Sequence, residues 1–458
     1  MNKVRFGDIL YIKGRIGWQA LSKDEYLKTG DYYLVTGVDI TDTHRINFSN
    51  CYYVSKERYD MDEKIQLKVG DIIVTKDGTI GKIGIIDELD KPATLNSHLF
   101  LIRNEAPDIL DTNFLFQILR SNQFQKFAQN NTHGSNIPAF TQSNISEFEI
   151  DLPTLDVQMG IANVLKNIDD KIINNIDINF ELESMAKTIY DYWFLQFEFP
   201  NTEGKPYKSS GGKMVYNEQL KKEIPEGWEV KKLGQLLTKQ NRSFNYDKVV
   251  NTIDLSIMPT NSLSLNEFNG SNLFDTNLFS LKKYDILFGS IRPYLKKACV
   301  APCDGAVAGT VHCYTVNKEN DYNFSLITLR SDNLFKFAIN NSKGTKMPVV
   351  SSDDLLEYVV AYNEEVVKLF NSLNLKETIS ENIMQNQGLT SLRDFLLPLL
   401  MNGQVTFKEK DEKIKNNNTV SFERFNQWKQ SQGYAARGDV DDETLKIIFD
   451  AMEEDVTK

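Results

Sequence analysis

The chain has 458 residues, which is too long for a single hydrophobic core and predicts two or three domains. Its 41% hydrophobic and 11% aromatic content is typical of globular rather than disordered proteins. Signal-peptide and membrane-length apolar runs are absent, and four cysteines do not make a disulfide framework, so we expect a cytoplasmic protein.

The net charge of −11 argues, taken alone, against a nucleic-acid partner. Only residues 201–362 are net basic, with 20 Lys or Arg against 17 Asp or Glu. A local basic face is sufficient for DNA, because the field of a charge is screened within about 8–10 Å. The acidic blocks, at 153–200 and 363–458, then indicate protein contact.

The first 152 residues predict a domain rich in β-strands. Short β-branched segments bounded by Gly, Asp or Asn, such as DIIVTKDG and GKIGIIDELD, are typical of strands joined by turns. One helix is expected over 112–129, followed by a Gly- and Ser-containing loop. We therefore expect an α+β domain with a sizeable twisted sheet.

The period of the apolar residues changes after residue 152. They then recur in alternating steps of four and three, which is the pattern of a coiled-coil seam. A long helix cannot bury such a seam alone, so a second helix is expected as its partner. The seam positions are Ile161, Leu165, Ile168, Ile172, Asn175, Asn179 and Leu182.

From residue 201 the chain repeats the same organisation. LKKYDILFGSIRPYLKKACV, from Leu281, resembles LKVGDIIVTKDGTIGKIGII, from Leu67. FSLITLRSDNLFKFAINNSKGTKMP matches FLFQILRSNQFQKFAQNNTHGSNIP at a constant offset of 210. Chance similarity between two amphipathic helices is the alternative, but it would not preserve the matched Gly and Pro. We predict a tandem duplication, with a second helix at 324–340.

A second seam follows the second globular copy. An antiparallel pairing of the two long helices would bring Asn175 and Asn179 near Asn386 and Asn382, fixing the register at some cost in stability. The alternative is that these asparagines face solvent. Pro398 is expected to kink or end the second helix. The seam positions in this copy are Ile379, Asn382, Asn386, Leu389 and Leu396.

Three strings together resemble the specificity subunit of Type I restriction-modification enzymes. They are LPTLDVQMGIANVLKNIDDKI (152–172), IPEGWEVKKLGQLL (224–237) and LRDFLLPLLMNGQV (392–405). The first copy lacks the Pro-Glu-Gly-Trp segment, and the entry to the second helix lacks the Pro and Gln of the first entry. These departures put the equivalence of the two halves in doubt.

The resemblance implies two target recognition domains, each reading one half of a bipartite, asymmetric DNA site. These would occupy 1–152 and 201–362, separated by long conserved helices at 153–200 and 363–405 that pair as an antiparallel coiled coil. The helices would set the unread spacer. Residues 406–458 lie outside the resemblance and predict a charged linker and a C-terminal helix.

The resemblance also implies partners and their cofactors. Two methyltransferase subunits would bind the helices and carry S-adenosylmethionine, and two restriction subunits, where present, would carry ATP and magnesium. This chain is expected to hold no cofactor and no catalytic site, because phosphate-loop, amino-methyltransferase and nuclease patterns are missing. His312 and Cys313 with Cys299 and Cys303 form a possible metal set, but buried thiols are favoured because the first copy has no equivalent cysteines.

Base readout requires side chains on loops that reach the grooves, and phosphates attract Lys, Arg and hydroxyl groups. The loops matched between the copies are therefore the best candidates, with solvated surface as the alternative for each residue. A fused methyltransferase-nuclease and a scaffold that does not bind DNA are the rival functions. The candidate DNA-contacting residues are Lys13, Arg15, Trp18, Thr75, Lys76, Thr79, His133, Ser135, Asn136, Asn241, Arg242, Ser290, Arg292, Tyr294, Lys296, Lys297, Lys343, Thr345 and Lys346.

Overall fold

A computed structural model describes residues 2–15, 21–131, 140–245, 248–275, 277–401 and 403. The described residues form two compact units. Unit 1 contains the chain up to Asp170 together with the described residues from Leu392 onward, and unit 2 contains Lys171–Ser391.

Unit 1 is built around short strands. They are β1 (Asn2–Arg5), β2 (Leu10–Gly14), β3 (Tyr32–Val35), β4 (Tyr52–Val54), β5 (Ile72–Thr75), β6 (Ile83–Ile85), β7 (Ala93–Leu95), β8 (Leu99–Asn104) and β9 (Glu149–Leu152). The helices are α1 (Phe6–Ile9), α2 (Lys56–Asp60), α3 (Thr112–Arg120), α4 (Asn122–Asn130) and α5 (Gln142–Glu147), with 3₁₀ turns at Lys23–Glu25, Phe48–Asn50 and Glu63–Ile65. Helix α6 (Leu155–Tyr190) begins in this unit and continues into unit 2.

Unit 2 repeats this arrangement. Its strands are β10 (Met214–Asn217), β11 (Lys222–Pro225), β12 (Glu229–Lys232), β13 (Leu237–Gln240), β14 (Asn251–Ile253), β15 (Asn269–Gly270), β16 (Leu278–Leu281), β17 (Ile286–Gly289), β18 (Ala298–Val300), β19 (Gly305–Ala308), β20 (Val311–Val316) and β21 (Val359–Tyr362). The helices are α7 (Leu233–Leu236), α8 (Tyr322–Arg330), α9 (Asp332–Asn340), α10 (Ser352–Leu356), α11 (Glu364–Phe370) and α12 (Leu375–Met401), with 3₁₀ turns at Ser271–Leu273, Pro293–Leu295 and Glu319–Asp321.

The sheet topology confirms the duplication. The central antiparallel sheet has the order β2-β8-β5-β6 in unit 1 and β13-β20-β17-β18 in unit 2. A second sheet contains a parallel pair in each unit, β3 with β7 and β14 with β19, flanked by an antiparallel strand. A two-stranded ribbon pairs an early strand with the last strand of each domain, β1 with β9 and β12 with β21. The α+β prediction is correct.

The helix predicted at 112–129 is two helices, α3 and α4, and the helix at 324–340 is likewise split into α8 and α9. Ser121 and Ser331 lie at the breaks with extended backbone, at ψ 150° and 146°. Each serine hydroxyl accepts a hydrogen bond from the backbone N–H three residues on, Phe124 at 3.3 Å and Leu334 at 3.2 Å. The apolar period runs through both breaks, so periodicity could not reveal these caps.

The long helices also differ from the prediction in detail. Helix α6 ends in a π-helical turn, Asp191–Leu195. The second conserved helix, predicted as one element over 363–405, consists of α11 and α12 separated by 371–374. Pro398 does not end α12, which continues to Met401. A proline this close to a C-terminus removes a single backbone donor, and the helix ends within the next turn.

The end of α6 is part of the hydrophobic core of unit 2. Tyr190 and Phe194 are 4% and 2% exposed. Phe194 contacts the rings of Phe324 and Phe370, with centroids 4.7 and 5.5 Å away, and Tyr190 packs on the same two rings. Burial of each aromatic side chain contributes about 1.5–3 kcal/mol, so the helix end is firmly fixed to the second globular domain.

Candidate DNA interface

The two long helices pair in antiparallel fashion, as predicted. In unit 2, Asn175 Nδ2 donates to Asn386 Oδ1 and Asn382 Nδ2 donates to Asn179 Oδ1, both at 2.8 Å. Asn175 and Asn179 are 0% and 2% exposed, so neither faces solvent. Amide pairs inside an apolar seam are satisfied in only one register, which gives these residues a role in alignment.

The apolar seam positions are divided between the two units. In unit 1 the buried seam residues are Ile161, Leu165, Ile168 and Leu396. In unit 2 they are Ile172, Ile379 and Leu389, with Leu182 partly buried against the same core.

In unit 1 an ion network connects the helices to the globular domain. Asp169 on α6 accepts hydrogen bonds from Arg120 on α3, which it binds through both carboxylate oxygens, and from Arg393 Nη1 on α12 at 3.0 Å. Burial raises the pKa of Asp169, but Arg120 and then Arg393 outweigh it and hold that pKa below its usual value. Sequence reasoning missed this network, although the repetition of Arg120 as Arg330 was visible.

The first pair of candidate loops connects equivalent strands. We define turn 1 as residues 76–82, between β5 and β6, and turn 2 as residues 290–297, between β17 and β18. Turn 2 is one residue longer. Because β5 pairs with β6 as β17 pairs with β18, the positions nearest each strand are equivalent in the two turns.

In unit 2 the two candidate loops lie side by side. The backbone N–H of Arg292 donates to Pro348 O at 2.8 Å, and Val350 N donates to Ser290 O at 3.0 Å. The loop at 343–349 is closed by paired backbone hydrogen bonds between Lys343 and Val349, of 2.8 and 2.9 Å. Turn 2 and this loop therefore form one continuous surface, although they are about 50 residues apart in sequence.

This surface presents several polar and basic side chains to solvent. Tyr294 is 51% exposed, and Arg292 is exposed beside it. Lys343, Thr345 and Lys346 are exposed on the adjoining loop. Exposed cations that converge with an aromatic side chain and a hydroxyl group are suited to phosphate and base-edge contacts.

Turn 2 holds two non-glycine residues in the left-handed backbone region. Arg292 and Lys296 both have φ of 51°. In turn 1, glycines take the two equivalent positions, with φ of 67° at Gly78 and 82° at Gly81. Each non-glycine residue in this region costs about 1–3 kcal/mol when its surroundings force it, and such strain concentrates at functional sites. The sequence could not identify these positions, because neither Arg nor Lys predicts a positive φ.

Three candidates on turn 2 bind other residues of the domain through their polar groups. Ser290 is buried, and its hydroxyl donates to Thr310 O at 2.7 Å. Lys297 Nζ donates to Leu255 O at 2.6 Å. Lys296 forms an ion pair with Asp332 on α9 at 2.5 Å. These three candidates therefore have their polar groups in contact with other parts of the same domain.

Three further candidates, Arg15, Thr75 and Arg242, also have their polar groups in contact with other parts of the same domain. Arg15 is 3% exposed, and its guanidinium donates to Leu95 O at 2.9 Å and to Thr94 Oγ1 at 3.1 Å. Burial lowers the pKa of Arg15. Thr75 is buried, and its hydroxyl accepts from Lys82 N at 2.9 Å.

Arg242 is likewise engaged within the domain. Its guanidinium binds both carboxylate oxygens of buried Asp285 and donates to Thr315 Oγ1 at 2.9 Å. Neighbouring Asn241 is exposed. The two adjacent candidates thus separate into a framework residue and a surface residue.

The remaining first-copy candidates lie close to the surface. Thr79 is exposed, whereas Lys76 is half-buried with its ammonium group 5.2 Å from the centre of the Phe100 ring. Lys13 is half-buried beside Tyr11. The candidates outside the described residues are Trp18, His133, Ser135 and Asn136.

Two residues of the possible metal set, His312 and Cys313, form hydrogen bonds with other groups of the protein. His312 Nε2 hydrogen-bonds with Val350 O at 3.0 Å, and Cys313 Sγ donates to Asp285 at 3.3 Å. Burial raises the pKa of the Cys299 and Cys313 thiols. Within the described ranges, no three His, Cys, Asp or Glu side chains are grouped to hold a metal ion. None of the helices described there is long and apolar enough to span a membrane.

Comparison with known proteins finds similarity to one family. Residues 1–184 match the model of the Type I restriction modification DNA specificity domain. The MjaIX Type I restriction enzyme specificity subunit of Methanocaldococcus jannaschii is 27% identical over 405 residues, covering 83% of this chain and 88% of that protein. Over most of its length, the chain is therefore similar to Type I restriction-modification specificity subunits.

Two further comparisons extend over most of this chain. The HindI specificity subunit of Haemophilus influenzae is 22% identical over 457 residues, covering 82% of this chain and 95% of that protein. The crystal structure of the S subunit from M. genitalium aligns with a TM-score of 0.53 at 16% identity, covering 87% of this chain and 95% of that one, so the two share a fold. Both curated relatives are named as specificity subunits of Type I restriction enzymes.

Proposed function

We propose that this chain is a specificity subunit that reads a bipartite, asymmetric DNA site, with one half contacted by each recognition domain. The recognition domains would be 1–152 and 201–362, and the conserved helices 153–200 and 363–405 would set the unread spacer between the half-sites. The observation that carries the proposal is the repeated turn between equivalent strands. In the second copy this turn presents exposed Arg292 and Tyr294 beside Lys343, Thr345 and Lys346.

The chemistry of the two turns supports different readout in the two half-sites. Turn 2 offers a guanidinium suited to a bidentate contact with guanine or to a phosphate, and the adjoining lysines suit phosphates. Turn 1 offers Lys76 and Thr79 around a glycine that lets the backbone approach closely. Two domains of one framework with different side chains would read two different sequences.

We further propose that the paired helices scaffold two methyltransferase subunits, with restriction subunits joining the complex in the cytoplasm. S-adenosylmethionine would be held by the methyltransferase subunits, and ATP and magnesium by the nuclease and translocase subunits. The antiparallel helix pair supports this proposal because the asparagines of its seam recur at matching positions in the two helices. The linker and C-terminal helix proposed for 406–458 lie outside the described residues.

A gel-shift titration of the complex with its methyltransferase partner tests the proposal. The target would first be located by single-molecule methylome sequencing of cells that express both chains. We expect selective binding of the methylated sequence, with an affinity that falls steeply as salt is raised because phosphates are neutralised. Binding without sequence selectivity and without salt dependence would instead support a scaffold that does not recognise DNA.

A further inference from the structure

Glu183 is a buried carboxylate on α6, on the part of the helix that belongs to unit 2. It is 3% exposed. Its oxygens accept from Leu263 N at 2.9 Å and from the hydroxyls of Ser262 and Ser264, both at 3.0 Å. Arg330 Nη2 lies 3.4 Å away. A charged group is retained inside a protein only where donors compensate its desolvation, and here most of the donors belong to one short segment.

That segment, residues 255–264, connects Glu183 to turn 2, and we call it the bridging segment. Asn261 N donates to Lys296 O at 3.1 Å, and Lys297 Nζ donates to Leu255 O at 2.6 Å. Asn261 itself has φ of 55°, and its carbonyl oxygen accepts from Arg330. The bridging segment therefore contacts turn 2 through Leu255 at its start and through Asn261 near its end.

These contacts lie at the strained backbone of turn 2. Lys296 is one of its two left-handed residues, and Arg292 is the other. A strained backbone persists only where surrounding contacts over-determine it. The amide of Asn261 supplies one such contact, and Asn261 is followed directly by the three residues that bind Glu183.

We propose that Glu183 is a positioning residue for DNA recognition, which fixes the bridging segment and thereby the strained conformation of turn 2 that presents Arg292. This inference rests on the proposed function of turn 2 as a DNA-reading element. It places a determinant of specificity on the long helix, outside the recognition loops.

The first copy has a different connection at the corresponding place. There His44 has φ of 61°, and the next residue, Arg45, pairs with Asp170 on α6 at 3.2 Å. Among the described residues of that segment, no backbone N–H donates to a carboxylate of α6. The effect of Glu183 should therefore be confined to the half-site read by the second domain.

The test uses the full chain in complex with its methyltransferase partner. Glu183→Gln keeps the size of the side chain but replaces an acceptor oxygen with a donor. Glu181→Gln, at an exposed position on the same helix, is the matched control. Affinity would be measured for the target DNA and for two DNA variants, each with one half-site altered. The half-site read by the second domain is identified as the one at which Arg292→Ala reduces discrimination between the target and its variant.

We expect Glu183→Gln to weaken target binding about tenfold and to reduce discrimination in the second-domain half-site alone. The control should match the wild type. The double variant Glu183→Gln/Arg292→Ala should bind little worse than Arg292→Ala, because both changes remove the same contact. Ser264→Ala, which removes one donor without altering charge, should act in the same direction more weakly and keeps the test open if Glu183→Gln fails to fold.

Unchanged discrimination in both half-sites for Glu183→Gln and Ser264→Ala would overturn the inference. An equal loss in both half-sites would also overturn it, because that pattern indicates general loosening of the protein. A wild-type complex without sequence selectivity would instead overturn the proposed function, so the two failures are distinguishable.

Discussion

The two recognition turns show how a duplicated framework acquires two different surfaces. Turn 1 has Gly78 and Gly81 at its left-handed positions, whereas turn 2 has Arg292 and Lys296 there. Glycine takes this conformation without strain, and a residue with a β-carbon does not. The second copy therefore has a strained backbone at two positions where it carries cationic side chains and the first copy carries glycine.

Two of the hydrogen bonds that support the turns are nevertheless repeated in both copies. Lys82 donates to Ile40 O at 2.5 Å as Lys297 donates to Leu255 O at 2.6 Å. Phe140 N donates to Lys76 O at 2.9 Å, and its repeat-mate Val350 N donates to Ser290 O at 3.0 Å. The comparison teaches that the backbone framework is repeated while the exposed chemistry differs.

The largest expected difference concerns the arginine that repeats between the copies. Arg120→Ala should destabilise unit 1 by about 3–5 kcal/mol, because Asp169 would lose a buried partner that binds both its oxygens. Arg330→Ala should cost unit 2 only about 1–2 kcal/mol, since Glu183 keeps its backbone and serine donors. Urea unfolding of the two variants measures both values. Equal losses would mean that the two networks are equivalent despite their different partners.

The next largest expected effect is a loss of stability of unit 1 in acid. Burial, then Arg120, lowers the pKa of His44 from 6.5 to about 4. The unfolded chain then binds a proton between these values that the folded state does not, so stability is fully present above about pH 6.5 and is lost as pH falls towards 4. The loss in unit 1 should be at most about 3 kcal/mol. Unit 2 has Asn261, which does not titrate, in the similar left-handed conformation, but burial also lowers the pKa of His312 in that unit.

Thermal unfolding between pH 7 and 4 measures this effect. His44→Asn is the matched variant, because asparagine tolerates a positive φ and does not titrate. An acid-induced loss that is as large in His44→Asn as in the wild type would assign it to other groups.

The paired asparagines test how alike the halves are along the helix seam. Asn382→Leu leaves the side-chain oxygen of Asn179 without its donor inside the protein and should cost about 1–3 kcal/mol. The repeat-mate change, Asn175→Leu, leaves Asn386, which is partly exposed and can bind water, so it should cost about 1 kcal/mol or less. Denaturant titration of both variants compares the costs. A larger cost for Asn175→Leu would contradict this ranking.

A small change in stability of the opposite sign is expected at turn 2 itself. Arg292→Gly makes turn 2 resemble turn 1, and it should raise stability by about 1 kcal/mol while weakening target DNA binding about fivefold to tenfold. Melting temperature and gel-shift affinity measure the two opposite changes. Lys283→Ala is the control, since Lys283 is exposed before the start of β17, whereas turn 2 follows its end. Undiminished affinity in Arg292→Gly would remove Arg292 from the DNA-contacting residues.

Local sequence pattern was sufficient for the larger architecture. The repeat, the α+β composition and the antiparallel helix pair follow from spacing along the chain, because strand alternation, helical period and heptad steps are local properties. The facing asparagines could be paired for the same reason, since an antiparallel seam matches positions by simple counting.

Only the tertiary structure decided which candidate side chains face solvent. Arg15 is tied to Leu95, and Glu183 to Leu263, across about 80 residues of sequence. Such contacts depend on how strands and helices pack, which no local period encodes. A lysine or arginine has the same letter whether it supports a turn or is exposed on it, and burial and backbone conformation separate Lys297 from Arg292.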